Sequence, residues 1–211
     1  MLLILRRLSF SLYIFLVLFL VSCDSESGKN QNKTPHKTQN SAEKPIAIKW
    51  SSAKMIIPGK SIGLTHLYES ADSVFLLLGK PDSSDAAMGK MMASWYKNNH
   101  ETHIFFGRKM GSEDETSRVK QIRITSSYFV TEKGVSVGSA IHQIQMEFPE
   151  LKIAGSYISP QTHLQTTIYD DLQKGIAFET DAKNGCVGIT VHKPNQQSYE
   201  IYNALYKVKM E

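Results

Sequence analysis

The chain has 211 residues, with 24 Lys and Arg against 20 Asp and Glu, for a formal net charge of +4. That balance, with no dense basic block, excludes a nucleic-acid surface as the organising feature. Two cysteines exclude a disulfide-stapled framework.

At the N-terminus, Arg6 and Arg7 precede an unbroken apolar run from Leu12 to Val21, and a small residue, Ser22, sits directly before Cys23. Ten helical residues cover about 15 Å, half of a hydrocarbon core of about 30 Å. The order predicts a secretory signal over residues 1–22 rather than a spanning helix. Its removal leaves 189 residues with 22 basic and 20 acidic side chains, a net of +2. The chain is then long enough for one sizeable core or two small ones sharing a sheet.

Leu20-Val21-Ser22-Cys23 resembles a bacterial lipobox. The resemblance implies that Cys23 is diacylated on sulfur, becomes the first mature residue and holds the body to the lipid bilayer of a bacterial cell envelope. Asp24 resembles an inner-membrane retention signal, whereas Asp24 with Glu26 also accompanies surface export in other phyla, so both destinations stay open. Asp24 to Lys44 has Ala42 as almost its only apolar side chain. Such a segment cannot bury enough surface to offset ordering. Residues 23–50 are thus expected to be the acylated cysteine and a solvated tether. The 21 residues from Asp24 would have a coil span of about 25 Å and a limit near 70 Å.

Two stretches then repeat one pattern, Ser61–Ser127 and Val130–Pro194. Leu67, Ala71, Val74 and Leu78 recur at helical spacing, and Gly79-Lys80-Pro81 stops the helix. Val137, Ile141, Ile144 and Phe148 repeat that spacing 70 residues later, and Pro149 ends it. Ser70 or Glu69, and Ser139, stand where they would support the first turn. Three strand-like stretches follow each helix: Met92–Tyr96, Thr102–Arg108 and Val119–Thr125, then Thr166–Tyr169, Lys174–Thr180 and Cys186–His192. Alternation puts Ile104 and Phe106 opposite Phe105, Ile176 and Phe178 opposite Ala177, and Ile122, Ile124, Ile189 and Val191 on one side. The predicted fold is α+β, two tandem helix-plus-antiparallel-meander repeats over 51–129 and 130–194 sharing one sheet. Residues 195–211 form an extension readable as a short helix or a final strand. Cys186, alone in an alternating apolar stretch, reads as a small core residue.

The capped helix, Leu78-Gly79-Lys80-Pro81, Trp95-Tyr96, Ile104-Phe105-Phe106 and Val119-Lys120-Gln121-Ile122 together resemble the small lipoproteins of outer-membrane β-barrel assembly. They are also similar to the tandem β-lactamase-inhibitor-protein-like fold. Both resemblances imply a concave sheet that grips another protein without catalysis. The assembly lipoproteins carry one such unit and this chain carries two, with Phe148-Pro149 in place of Leu-Gly.

Candidate sites follow from residue types. Trp95, Tyr96, Phe105 and Tyr169, with Tyr128, Phe129 and Tyr157, would make a binding face wherever alternation leaves them outward, since Trp and Tyr bury large areas at small entropic cost. His100 and His103 are at metal-ligand spacing, but their polar neighbours point to a hairpin turn. Adjacent Asp170 and Asp171 face opposite sides of a strand, which argues against shared acid–base or calcium chemistry and for a solvated turn. Ser83 to Lys90 reads as a second short helix or a loop, with no phosphate-loop or nucleophile-elbow pattern. No catalytic residue, metal or cofactor is expected. The expected partners are the bilayer, through acylated Cys23, and another envelope protein. An accessory role in outer-membrane assembly stays open, as does a ligand-binding or hydrolytic lipoprotein using Ser83–Lys90 beside Asp170 and Asp171.

Overall fold

The computed structural model describes residues 51–210. The predicted signal, Cys23 and the tether to residue 50 lie outside the described residues. After a single 3-10 turn at Ser52–Lys54 come three two-residue strands, β1 (Ile56–Ile57), β2 (Ser61–Ile62) and β3 (Thr65–His66), which form a small sheet. Helix α1 (Ala71–Leu78) precedes strands β4 (Ser83–Ala87), β5 (Lys90–Lys97), β6 (His100–Gly107) and β7 (Arg118–Ile124). Helix α2 (Ile141–Glu147) precedes β8 (Lys152–Ile158), β9 (Gln165–Asp171), β10 (Ile176–Thr180) and β11 (Cys186–His192). The chain ends in α3 (Tyr199–Leu205) and β12 (Lys209–Met210).

The main sheet has nine strands in the order β12-β8-β9-β10-β11-β7-β6-β5-β4. Every pairing in it is antiparallel. Its two runs of strands meet where β7 pairs with β11, Ile124 opposite Ile189 and Ile122 opposite Val191. The predicted α+β class and shared sheet are therefore present. The predicted helix-plus-three-strand units are not: α1 and α2 are each followed by four strands in one continuous sheet. The fourth strands, β4 and β8, lack readable alternation. All five β4 residues, Ser-Ser-Asp-Ala-Ala, are exposed, and backbone pairing with β5 holds them in place as the sheet edge. In β8 a register shift between Ile153 and Gly155 breaks the period of two.

Local chemistry sets the helix ends. The Ser70 hydroxyl accepts from the Ser73 N–H at 3.1 Å, so Ser70 is the N-cap, and Asp72 in the first turn favours the helix dipole. Gly79, at φ +81° and ψ −175°, takes an exit conformation open in practice to glycine. The second helix departs from expectation. Its N-cap is Ala140, where Gln143 Oε1 accepts from the Ala140 N–H at 3.0 Å. The Ser139 hydroxyl accepts instead from Ser136 N–H at 3.0 Å, bracing the preceding turn.

The sheet buries both faces. On one, Ala71 and Val74 of α1 and Ile144 and Phe148 of the α2 region pack on Ile104, Phe106, Ile122, Ile124, Ile176, Phe178, Ile189 and Val191. On the other, Ile201 and Tyr202 of α3 pack on Phe105, Ala177, Ile168 and Tyr157. Full burial of each such side chain stabilises by about 1.5–3 kcal/mol. The alternation predicted for β6, β7, β10 and β11 thus matches the two cores. Leu78 does not match: it is 37% exposed, whereas Phe148, its predicted counterpart, is 1% exposed. The extension has both predicted characters, a helix over the second face and then a two-residue strand on β8.

Candidate functional site

The aromatic residues expected to form one binding face are divided by the sheet. Trp95 packs into the core beneath α1, its ring 6.1 Å from Phe75, and its indole N–H donates to the Gly79 carbonyl at 3.1 Å. Trp95 therefore clamps the helix exit. Tyr169 lies opposite Phe178 in the β9–β10 register, which puts it on that same side, half-buried. Phe105 is buried in the α3 core. Tyr96 is exposed and meets the His103 ring edge-on at 6.0 Å.

Apolar surface does gather elsewhere. A groove of about 940 Å³ is lined by Leu77 and Leu78 at the end of α1, Trp95 and Tyr96 at the end of β5, and Tyr128 and Phe129 after β7. Two of the four predicted binding residues, Trp95 and Tyr96, thus meet there; Phe105 and Tyr169 do not. Tyr128 and Phe129 stand edge to face at 5.2 Å, and the Lys54 ammonium lies 4.7 Å from the Tyr128 ring. Asp82 Oδ2 accepts from the Tyr96 N–H at 2.7 Å, joining the β4 approach to the groove wall. Leu76, on the same short helix, is 90% exposed. Large apolar side chains are thus left partly open in one place, together with polar Lys97, Asn98 and His100. The Leu77 and Leu78 contribution was missed because helical spacing placed Leu78 in the core.

The opposite face holds a buried polar network. Arg123 Nε and Nη2 donate to the two Glu179 carboxylate oxygens at 2.7 and 2.8 Å. The Tyr157 hydroxyl donates to Glu179 at 2.6 Å, and Tyr206 stacks on Tyr157 at 4.0 Å. Arg123 Nη1 also donates to Glu101 at 3.2 Å. Burial pulls the Arg123 guanidinium down, but the Glu179 charge and hydrogen bonds outweigh it and raise it well above its usual value. Burial, aided by the Glu179 charge, pushes the Tyr157 phenol far above its usual range. Gly188 leaves the room this pair needs, because a Cβ there would collide with the Glu179 carboxylate.

His103 is not in a turn. The β5–β6 turn is Asn98-Asn99, both at positive φ, and both histidines belong to β6. His103 Nδ1 is 2.7 Å from the Ser94 hydroxyl and Nε2 is 3.0 Å from Glu101 Oε2. The chain Ser94–His103–Glu101 has the residue types of a hydrolytic triad. Ser94 is only 4% exposed, however, and lines neither the groove nor the pocket at Asp170. The Glu101 carboxylate is held below its usual value, first by the His103 hydrogen bond and with help from Arg123 against the opposing effect of burial.

Asp170 and Asp171 point to opposite faces as expected, but neither is in a solvated turn. Asp170 is buried, with His192 Nε2 at 2.9 Å and the Ser198 hydroxyl donating at 2.8 Å. Asp171 is 1% exposed. Its Oδ1 accepts from the Lys174 N–H at 3.1 Å, so the carboxylate closes the β9–β10 turn. They border a pocket of about 310 Å³ together with Glu150, Lys152 and Ser198. Ser83 to Ala87 is the edge strand at the far end of the sheet from this pocket. Among the described residues no group of three or more His, Cys, Asp or Glu is placed to hold a metal ion, and no helix is long and apolar enough to cross a membrane. Cys186 is a buried free thiol, pushed up to about 12 chiefly by burial.

No family model and no curated protein matches the chain. Two solved structures are similar to it. A DUF4309 family protein from Bacillus subtilis aligns at 11% identity and a TM-score of 0.34, over 59% of this chain and 78% of that one. A cysteine-rich secretory protein from Staphylococcus aureus aligns at 10% identity and a TM-score of 0.38, over 75% of this chain. This chain covers about half of that second protein, 52%.

Proposed function

We propose that this chain is a lipid-anchored module of a bacterial envelope that binds another envelope protein without catalysis. The lipobox-like Leu20-Val21-Ser22-Cys23 supports the anchor, and the polar Asp24–Lys44 tether supports outward reach. The observation that carries the binding reading is the groove walled by Leu77, Leu78, Tyr96, Tyr128 and Phe129. A partner side chain seated there would be desolvated against rigid aromatics. The finer architecture fits the same reading: α1 and α2 begin at residues 71 and 141, each ahead of four strands. We infer that one unit was duplicated, and that β7–β11 pairing joins the copies so that the groove sits on a stable frame.

The test is co-isolation from detergent-solubilised membranes. A Leu77→Asp/Leu78→Asp chain should stay folded and membrane-bound yet lose the protein that co-isolates with the native chain. Retention of that protein would reject the groove as the contact.

A further inference from the structure

The cations of the described body are not spread evenly. Residues 51–210 hold 17 Lys and Arg against 16 Asp and Glu, close to neutral. A cavity of about 680 Å³ beside α3 nevertheless carries Lys90, Arg108, Lys109, Lys120 and Lys193 with one carboxylate, Glu200. The five cations come from the start of β5, the exit of β6, β7 and the exit of β11, so no basic run marks them in the sequence.

Sheet register builds the cavity floor. Lys90 lies opposite Gly107 in the β5–β6 pairing, and a Cβ at Gly107 would stand 3.2 Å from Lys120 Cε. The two lysines thus flank one position that has no side chain. The Lys90 ammonium is 5.9 Å from the centre of the Phe105 ring, and the Lys120 ammonium 5.9 Å from that of Tyr68, so aromatic faces steady both. Glu200 accepts from Lys90 at 2.7 Å and neutralises one charge of the five. Arg108 stands 3.7 Å from Glu115, a looser pairing between exposed side chains. Among the described residues, exposed Lys109, Lys120 and Lys193 form no ion pair.

Like charges held around a concave surface focus a positive field that attracts anions. A monocarboxylate would answer one or two of these cations, whereas a phosphate ester or a diphosphate meets several at once. Lysines supply point charges to phosphate oxygens, and the planar fork of Arg108 suits two of them. A bare phosphate is too small to fill the space. Exposed Tyr68 and Met88 on the lining offer apolar surface to an attached organic group.

We propose that this cavity binds a multiply charged, phosphate-bearing ligand. Arg108, Lys109, Lys120 and Lys193 meet the phosphate oxygens, and the organic part rests against Tyr68 and Met88. Free phosphate esters and anionic lipid headgroups share this chemistry. The site has no residue in common with the groove at Leu77 and Leu78, so it stands or falls apart from the partner reading.

The experiment reads lysine acetylation by mass spectrometry on the full acylated chain in lipid nanodiscs. Pyrophosphate and glycerol 3-phosphate, added to phosphatidylcholine discs, are the free probes. Discs containing cardiolipin, with no added anion, present the lipid probe. Labelling of Lys109, Lys120 and Lys193 should fall at least about threefold with one of the two sources, as expected when occupied sites outnumber open ones. Exposed Lys133 and Lys183 should not change. Protection by a free probe assigns a soluble ligand, and protection in cardiolipin discs alone assigns a headgroup. In Lys120→Gln/Lys193→Gln, protection of Lys109 should be lost under the conditions that gave it, with thermal unfolding unchanged. Lys133→Gln/Lys183→Gln should keep that protection. No protection by either source, equal protection at Lys133 and Lys183, or protection of Lys109 that survives Lys120→Gln/Lys193→Gln would overturn the site.

Discussion

Arg123 and Glu179, 56 residues apart, form a two-pronged ion pair across the centre of the sheet, at 2.7 and 2.8 Å. One residue belongs to the last strand after α1 and the other to the third strand after α2. Both are buried, Glu179 completely. The pair therefore ties the two runs of strands at the place where β7 meets β11, beneath Tyr157 and Tyr206.

Removing one partner should be costly. Arg123→Ala leaves a buried carboxylate without its counter-charge and should lower unfolding free energy by about 3–5 kcal/mol. Replacing both residues, Arg123→Met with Glu179→Leu, should cost much less than Arg123→Ala alone, because no charge is stranded. Urea denaturation measures both, and equal losses would deny the pair its central place.

Acid should weaken the network through Glu101. Its carboxyl is depressed in the folded chain, so its contribution is present above the unfolded carboxylate value, about 4.3, and is lost as pH falls through the lower folded value. Glu101→Gln should consequently be less stable than the native chain at pH 7, with the gap narrowing below about pH 4. Denaturation at several pH values checks this, and a constant gap would contradict it.

Phe148 and Leu78 separate core from groove. Phe148→Asp places an unpaired charge at a site 1% exposed and should cost several kcal/mol, roughly 3 or more. Leu78→Asp sits at the groove, 37% exposed, and should cost less than about 1 kcal/mol. Thermal melts of the two variants should therefore differ widely. Similar melts would show that the groove wall is part of the core.

The sequence carried the sheet interior well, because large apolar residues fill every second position on the face under α1 and α2, whereas the face under α3 mixes apolar residues with Gln121, Arg123, Glu179 and Thr190. Ile104 and Phe106 against Phe105, and Ile176 and Phe178 against Ala177, divide between the two cores as their order requires. It carried edges poorly. Ser83–Ala87 holds its place through backbone pairing alone, which leaves no mark on side-chain pattern. The groove was half legible: Trp95, Tyr96, Tyr128 and Phe129 were candidates by residue type, but Leu77 and Leu78 were hidden by a helical period that Gly79 cuts short. The Arg123–Glu179 pair was illegible, since it joins residues far apart in sequence, each looking like an ordinary outward charge. Gly188 was its one local sign, a strand residue without a side chain.

The central claim, that the groove holds a protein partner, is tested most directly by placing benzoylphenylalanine at Tyr128 in living cells and irradiating them. The account predicts one discrete protein adduct, absent with the probe at exposed Leu164 and abolished by Leu77→Asp/Leu78→Asp. No adduct, the same bands from Leu164, or an adduct that survives the leucine changes would contradict it.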